Sequence, residues 1–381
     1  MRAIGILCEY NPFHLGHKKQ FDIIRQQFGR DCAIVCLMSG NFVQRGAPAI
    51  FDKSLRAQAA LRCGADLVLE LPVTYALSSA EGFAAGAVRI LSGFCDGMCF
   101  GAESGSAETL LETARILLSE DFAMALRVQL DTGKSFPAAR QAALAALGAD
   151  PSCLSNPNDI LGVEYCKAIL SQHSPLVPIP IRRDGCYHDS APDPENPSAT
   201  ALRQLLLSGG SWQPYVPVET VDIFKNAPVH TLAAAERAIL YRLRTMTDQE
   251  FEALPYGSEG LWRKLMHASR SCGDLESVLE TTKSKRYTRT RLDRMVMCAA
   301  LGITAEDMVS PVPHTSVLAF SQRGRSVLKT AREHGLFPHI GEAINAPYAA
   351  LERRCDDIYA LFQADMPAPA GETPKRRVCM E

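Results

Sequence analysis

Four short apolar runs, spaced by helix-length segments, limit the fold of this chain more than any other feature. Ala3–Leu7 ("AIGIL"), Ala33–Met38 ("AIVCLM"), Asp66–Leu71 ("DLVLEL") and Gly97–Phe100 ("GMCF") read as strands. Between them, Leu15–Phe28, Ser54–Cys63 and Ser79–Leu91 read as helices. Helices are then expected over Ala107–Leu118, Phe136–Leu147 and Ile160–Leu170, with a late strand over Val177–Ile181. Strands apolar at nearly every position have no face for water, so both faces must be covered. Alternation with helices supplies that cover and predicts an α/β, Rossmann-like parallel sheet. Ligands of such sheets bind beyond the carboxyl ends of the strands. The turns "EYNPFHLGH", "SGNFVQRG" and "GAESG" follow the first, second and fourth strands and should converge on one rim.

Asp184–Leu206 is rich in Pro, Asp and Ser and reads as a loop entering a helix, with Ser198 as N-cap. From about Val221 to Gln363 the pattern is helical without strand alternation. The expected division is residues 1–210 as an α/β domain, 211–365 as a C-terminal α-helical domain and 366–381 as a flexible tail. A length of 381 residues fits two domains. A net charge of −2 excludes a global drive toward nucleic acid or membrane, so any nucleic-acid surface must be a local patch. The 13 cysteines contain no C-x-x-C pair and read as buried apolar thiols in a reducing compartment. The N-terminus has no signal-peptide pattern and no run of about 18 apolar residues occurs, so a cytoplasmic protein without a membrane segment is expected.

Two of the nine histidines, His14 and His17, stand where the first strand hands over to a helix. Gly16 between them lets backbone approach a ligand closely. A helix N-terminus favours an anion through its unpaired N–H groups and its dipole. Imidazoles beside it can hydrogen-bond a nucleotide α-phosphate and stabilise charge during adenylyl transfer. A zinc pair would need i, i+4 spacing on one helix face, so no metal site is assigned. Asn41, Gln44 and Arg45 follow the second strand, Gly101 ends the fourth, Asn158 precedes a helix, and Arg182 and Arg183 end the late strand. A basic segment, "KSKRYTRTRLDR", carries Lys283, Lys285, Arg286, Arg289, Arg291 and Arg294 around Tyr287, with only Asp293 opposing them locally. It suits RNA phosphates.

The ordered series "GILCEYNPFHLGH", "MSGNFVQRGAPAIFDK", "GADLVLELP", "FGAESG", "PNDILGVEY", "IRRDGCYHD", "SATALR" and "KRYTRTRLDR" resembles the bacterial tRNA(Met) cytidine acetate ligases over most of the chain. The resemblance implies a nucleotidyltransferase-like sheet with a helical, tRNA-binding C-terminal domain. It implies a ligase that forms acetyl-adenylate from ATP, with Mg²⁺, and acetate. The acetyl group would then pass to N4 of the wobble cytidine of elongator tRNA(Met). His14 and His17 would be catalytic. ATP contacts would come from Leu7, Cys8, Glu9, Tyr10, Asn11, Pro12, Phe13, His14, Leu15, Gly16, His17, Lys18, Lys19 and Gln20, and from Gly101, Asn158 and Arg183, with Arg182 the alternative to Arg183. The histidines alone also fit a small-molecule adenylyltransferase or a non-catalytic nucleotide-sensing RNA binder.

Overall fold

The computed structural model describes residues 1–103, 106–182, 197–284, 286–309, 315–333, 347–365, 368–369 and 379–380. The strands are β1 (Ala3–Cys8), β2 (Ala33–Ser39), β3 (Phe42–Val43), β4 (Ala47–Pro48), β5 (Leu67–Leu71), β6 (Gly97–Ala102), β7 (Val177–Arg182), β8 (Val317–Phe320) and β9 (Cys379–Met380). Among the described residues the main sheet has seven strands in the order β7-β6-β1-β2-β5-β8-β9. Strands β7, β6, β1, β2 and β5 run parallel, and β8 is antiparallel to β5. The short β3 and β4 form a separate hairpin.

Helices α1 (Leu15–Phe28), α2 (Lys53–Arg62), α3 (Val73–Ala76), α4 (Ala80–Leu91), α5 (Ala107–Leu117), α6 (Glu120–Asp131), α7 (Phe136–Ala146), α8 (Pro157–Ser171), α9 (Ala199–Leu207) and α10 (Val218–Lys225) cover the sheet or border it. Val35, Leu37, Leu67 and Leu69 point to a core shared with α4, α5 and α8. Their neighbours Ile34, Cys36, Met38 and Val68 point the other way, to a core shared with α1, α2 and α10. Alternate residues of one strand thus feed two cores, which is why β2 and β5 are apolar at every position but Ser39 and Glu70. Caps match the sequence: Ser198 accepts from the Ala201 N–H at the start of α9. Helix α6 was not legible, because Met124 and Val128 on it are exposed and Phe122 is its only buried residue.

A third core lies in the helices α11 (Glu236–Thr245), α12 (Asp248–Glu252), α13 (Leu261–Ser271), α14 (Leu275–Thr282), α15 (Arg289–Leu301), α16 (Ala305–Val309), α17 (Gln322–Glu333) and α18 (Pro347–Tyr359), although not all of these belong to it. Leu243, Leu265, Val278, Met295 and Leu301 fill this core, with Tyr359 of α18. Helix α17 instead places Val327, Leu328 and Ala331 against the sheet. The strand-free C-terminal region expected from the sequence is corrected by β8, whose four residues are too short to show a period of two. In the expected tail, β9 pairs with β8 through Ala319–Cys379 and Phe320–Met380, and residues 366, 367, 370–378 and 381 lie outside the described residues. Eleven cysteines are free thiols, nine of them buried. Among the described residues no helix is long and apolar enough to cross a membrane.

The hairpin β3–β4 joins the sheet to the helical lobe. Gly46, at its tip, has φ +77°, and a Cβ there would lie 2.4 Å from the Arg294 backbone nitrogen of α15. Only glycine permits both the left-handed backbone and this approach. Gly46→Ala should cost about 1–3 kcal/mol or more, read as a lowered urea midpoint with an unchanged m-value.

Candidate active site

The chain runs from β1 to β2 and β5 on one side, then returns to β6 on the other side of β1. The switch point therefore lies between β1 and β6, where open α/β sheets bind ligands. These two strands pair only through Ile4–Gly97 and Gly5–Met98, so a crevice opens toward their carboxyl ends. His14 and His17 sit at its mouth, on the turn from β1 into α1.

The pair is locally built. His14 is the N-cap of α1, and its Nδ1 accepts from the Gly16 N–H at 3.1 Å. His17 Nδ1 accepts from the His14 N–H at 3.2 Å, closing a reciprocal cap. The rings stack with centroids 3.6 Å apart. A ring nitrogen that accepts carries no proton, so in each neutral imidazole the proton is on Nε2, a donor. The sequence expectation of unpaired first-turn N–H groups is corrected: the rings consume two of them. Donors for an anion at this turn are Nε2–H groups fixed in direction by the backbone.

The remaining residues of the turn divide by direction. Cys8 ends β1 and bonds the Leu37 carbonyl. Leu7 and Leu15 are half-buried. Glu9 Oε1 accepts from the Gln44 N–H at 2.8 Å. Tyr10 and Phe13 are buried edge-to-face, with centroids 4.8 Å apart. Asn11 Oδ1 accepts from the Ile50 N–H, and its carbonyl accepts from Arg203 Nη1, both at 2.8 Å. The Asn11–Pro12 peptide bond is cis. The side chains of Tyr10, Asn11, Pro12 and Phe13 are therefore buried and shape the turn; a ligand here would meet their backbone. Lys18 and Gln20 are half-buried and Lys19 is exposed on the first turns of α1. Gln20 reaches β6 by donating to Cys99 Sγ at 3.6 Å.

Gly101 and Asn158 lie on the same rim. Glu103, two residues after Gly101, accepts from Asn158 Nδ2 at 2.5 Å and from the Asp159 N–H at 3.0 Å, tying the end of β6 to the start of α8. Arg182 pairs with Ala102 where β7 meets the rim. Arg183 lies outside the described residues, as do Ser104 and Gly105.

Several residues that hold the site had no local signal. Arg56 is fully buried and donates to the carbonyls of Phe51 at 2.9 Å, Glu9 at 2.5 Å and Ser39 at 3.2 Å, and to that of Gly40. Lys53 Nζ, also buried, contacts Glu70 at 2.6 Å and Asp356 at 2.7 Å. Gly40 makes room, since a Cβ there would lie 2.6 Å from Glu70 Oε1. Asn41 joins by donating to Asp356 at 3.1 Å. No local pattern marks Glu70, because its partner Lys53 comes from α2, and Lys53's other partner, Asp356, comes from α18. Beside this cluster Glu352 accepts from the Val73 N–H at 2.8 Å and from the Tyr348 hydroxyl.

The cations of the basic segment, which the sequence shows opposed locally only by Asp293, have further partners in the fold. Arg289 meets Glu276 at 2.6 Å, Asp293 at 2.9 Å and Glu280 at 3.3 Å. Arg294 lies over the Tyr256 ring and donates to the Gln44 carbonyl. Arg291 donates to the Tyr256 carbonyl at 2.8 Å. Arg286 pairs with Glu259 at 2.7 Å but keeps 70% of its side chain exposed. Lys285 lies outside the described residues. Arg289 is thus held by three carboxylates and Arg291 and Arg294 by backbone carbonyls, while Arg286 keeps an exposed face.

The chain, with its paired-imidazole turn at the switch point of a parallel sheet, is a HIGH nucleotidyl transferase: the HIGH Nucleotidyl Transferase family matches residues 1–372. Within that class, the chain belongs to the tRNA(Met) cytidine acetate ligase family. A member from Acetivibrio thermocellus is 34% identical over 368 residues, covering 89% of this chain and 87% of its own. The crystal structure of apo Thermotoga maritima TmcAL superposes with TM-score 0.90 at 29% identity, covering all of both chains. The same protein bound with alpha-thio ATP gives TM-score 0.88 over the same span.

The burial of Glu352, with Glu70 nearby, pushes its carboxyl up to about 7. Between the ordinary carboxyl range and pH 7, the folded protein holds a proton that the unfolded chain has lost. Stability should therefore fall as pH rises through that window, by on the order of 3 kcal/mol, and level off above it. Glu352→Gln should flatten this slope, so that the difference in Tm moves in favour of the variant from pH 5 to pH 8.

Proposed function

We infer that the protein is an ATP-dependent acetate ligase that acetylates N4 of the wobble cytidine of elongator tRNA(Met). The observation that carries the first step is the His14–His17 pair with both Nδ1 atoms occupied by backbone N–H groups. Family membership over nine-tenths of the chain supports acetate and tRNA(Met) as the reactants. The crevice between β1 and β6 suits the nucleotide, with Gly101 and Asn158 on one wall and residues 7–20 on the other.

Acetate is ionised at neutral pH, so the first step needs no base. An acetate oxygen attacks the α-phosphorus in line, the bond to the bridging oxygen breaks, and pyrophosphate leaves. Charge grows on the non-bridging oxygens, where Nε2–H donors of His14 and His17 are more stabilising than in the ground state. Lys18 and Lys19 add positive charge along the same turn. Mg²⁺ would enter with the nucleotide as the counter-ion of its phosphates, neutralising charge on the leaving group; no protein ligand set is assigned to it. In the second step N4 of cytidine attacks the acyl carbon, AMP leaves, and N4 loses a proton. Delocalisation of the N4 lone pair into the ring makes it a weak nucleophile, which a mixed anhydride compensates.

Incubation with ATP, labelled acetate and unmodified tRNA(Met) should place label in the tRNA as N4-acetylcytidine, detected by nucleoside mass spectrometry. Transfer of AMP from α-labelled ATP to a small acceptor other than acetate, with no acetyl label in tRNA, would instead favour the small-molecule adenylyltransferase reading. Asparagine is a good N-cap. His14→Asn should therefore keep α1 folded by circular dichroism while lowering acetate-dependent ATP–pyrophosphate exchange about 100-fold or more.

A further inference from the structure

Between the α6–α7 connection and the first turn of α15 lies a cleft of about 770 Å³. Lys134 and Phe136 line one wall; Arg286, Tyr287, Arg291 and Glu259 line the other. One wall comes from helices that border the sheet and the other from the helical lobe. The volume falls within the range of roughly 300–1,000 Å³ typical of ligand sites.

The lining has the chemistry of a single-stranded nucleic-acid site. Three cations face one carboxylate, a local positive excess in a chain whose net charge is −2. Arg286 and Phe136 are exposed, at 70% of the side chain and 56% respectively. Phe136 offers a ring for a base, and the Arg291 guanidinium lies 4.8 Å from the Tyr287 ring centroid on the opposite wall. Unpaired nucleotides are held by this combination of aromatic planes and cations. The cleft is also linked to the active site. Three residues beyond Arg291, Arg294 donates to the Gln44 carbonyl, and the Gln44 N–H donates to Glu9 at the end of β1.

We propose that this cleft binds an unpaired segment of the substrate RNA, with phosphates on Lys134 and Arg286 and a base against Phe136. The proposal rests on the reading of the protein as an RNA acetate ligase and assigns a second wall, on α7, to the RNA site. Arg289 and Arg294 are structural on this view, and Lys134 and Phe136, distant in sequence from the basic segment, belong to the contact.

The test is filter binding of unmodified tRNA(Met) to the full chain over a series of salt concentrations. Lys134→Ala should weaken binding and reduce the slope of log K against log[salt] by about 1. Phe136→Ala should weaken it roughly tenfold with the slope unchanged, and Phe136→Tyr should restore it. Acetate-dependent ATP–pyrophosphate exchange, which uses no RNA, should stay at the wild-type level in all three and so confirm folding. If the wild type binds and acetylates tRNA(Met) and the variants match it, the cleft assignment is overturned while the function stands. If the wild type neither binds nor acetylates tRNA(Met), the functional reading fails and takes the cleft with it.

Discussion

The buried guanidinium of Arg56 is the constraint on which the rest of the site depends. It carries a charge into the interior, where four backbone carbonyls receive it. A buried charge is tolerated only when its donors are satisfied. Glu9, Ser39, Gly40 and Phe51 must therefore converge on one point. That convergence fixes the end of β1 against the end of β2 and the entry to α2. The turn that carries His14 and His17 starts from this fixed point, and Arg203 holds its next carbonyl, at Asn11.

A second buried cation joins the catalytic sheet to the helical lobe. Lys53 lies between Glu70 at the end of β5 and Asp356 on α18, with Asn41 bridging. Gly46 lets the β3–β4 tip touch α15, and Gln44 beside it bonds Glu9. The loop after β2 thus contacts the turn that carries the histidines on one side and the lobe on the other. On the proposed function an RNA base meets an adenylate, which needs the two lobes in fixed register, because small displacements of reacting groups cost rate steeply. These contacts supply that register through short hydrogen bonds and close backbone approach.

The strands and the helices that flank them were legible because burial on both faces leaves an unbroken apolar run, as in "AIVCLM", and Gly or Pro ends each element. The histidine pair was legible because the turn it caps is local, with both bonds spanning two or three residues. Helix α6 was not, since its apolar side chains Met124 and Val128 face outward. Strand β8 was not, since its partner β5 lies some 250 residues earlier, in the pair Leu67–Phe320. The pairing of the basic segment was not legible either, since Glu276 and Glu280, which meet Arg289, come from α14 and Glu259, which meets Arg286, from the turn before α13.

The parallel sheet, its first strands and the place of the paired imidazoles are written in the sequence alone, because periodicity and capping act over a few residues. Tertiary structure alone decided that Arg56 meets four carbonyls, that Lys53 finds Asp356 303 residues away, and that Lys134 and Phe136 face the basic segment across a cleft. Those outcomes depend on which distant surfaces pack together, and packing is set by the summed burial of three cores rather than by any local pattern.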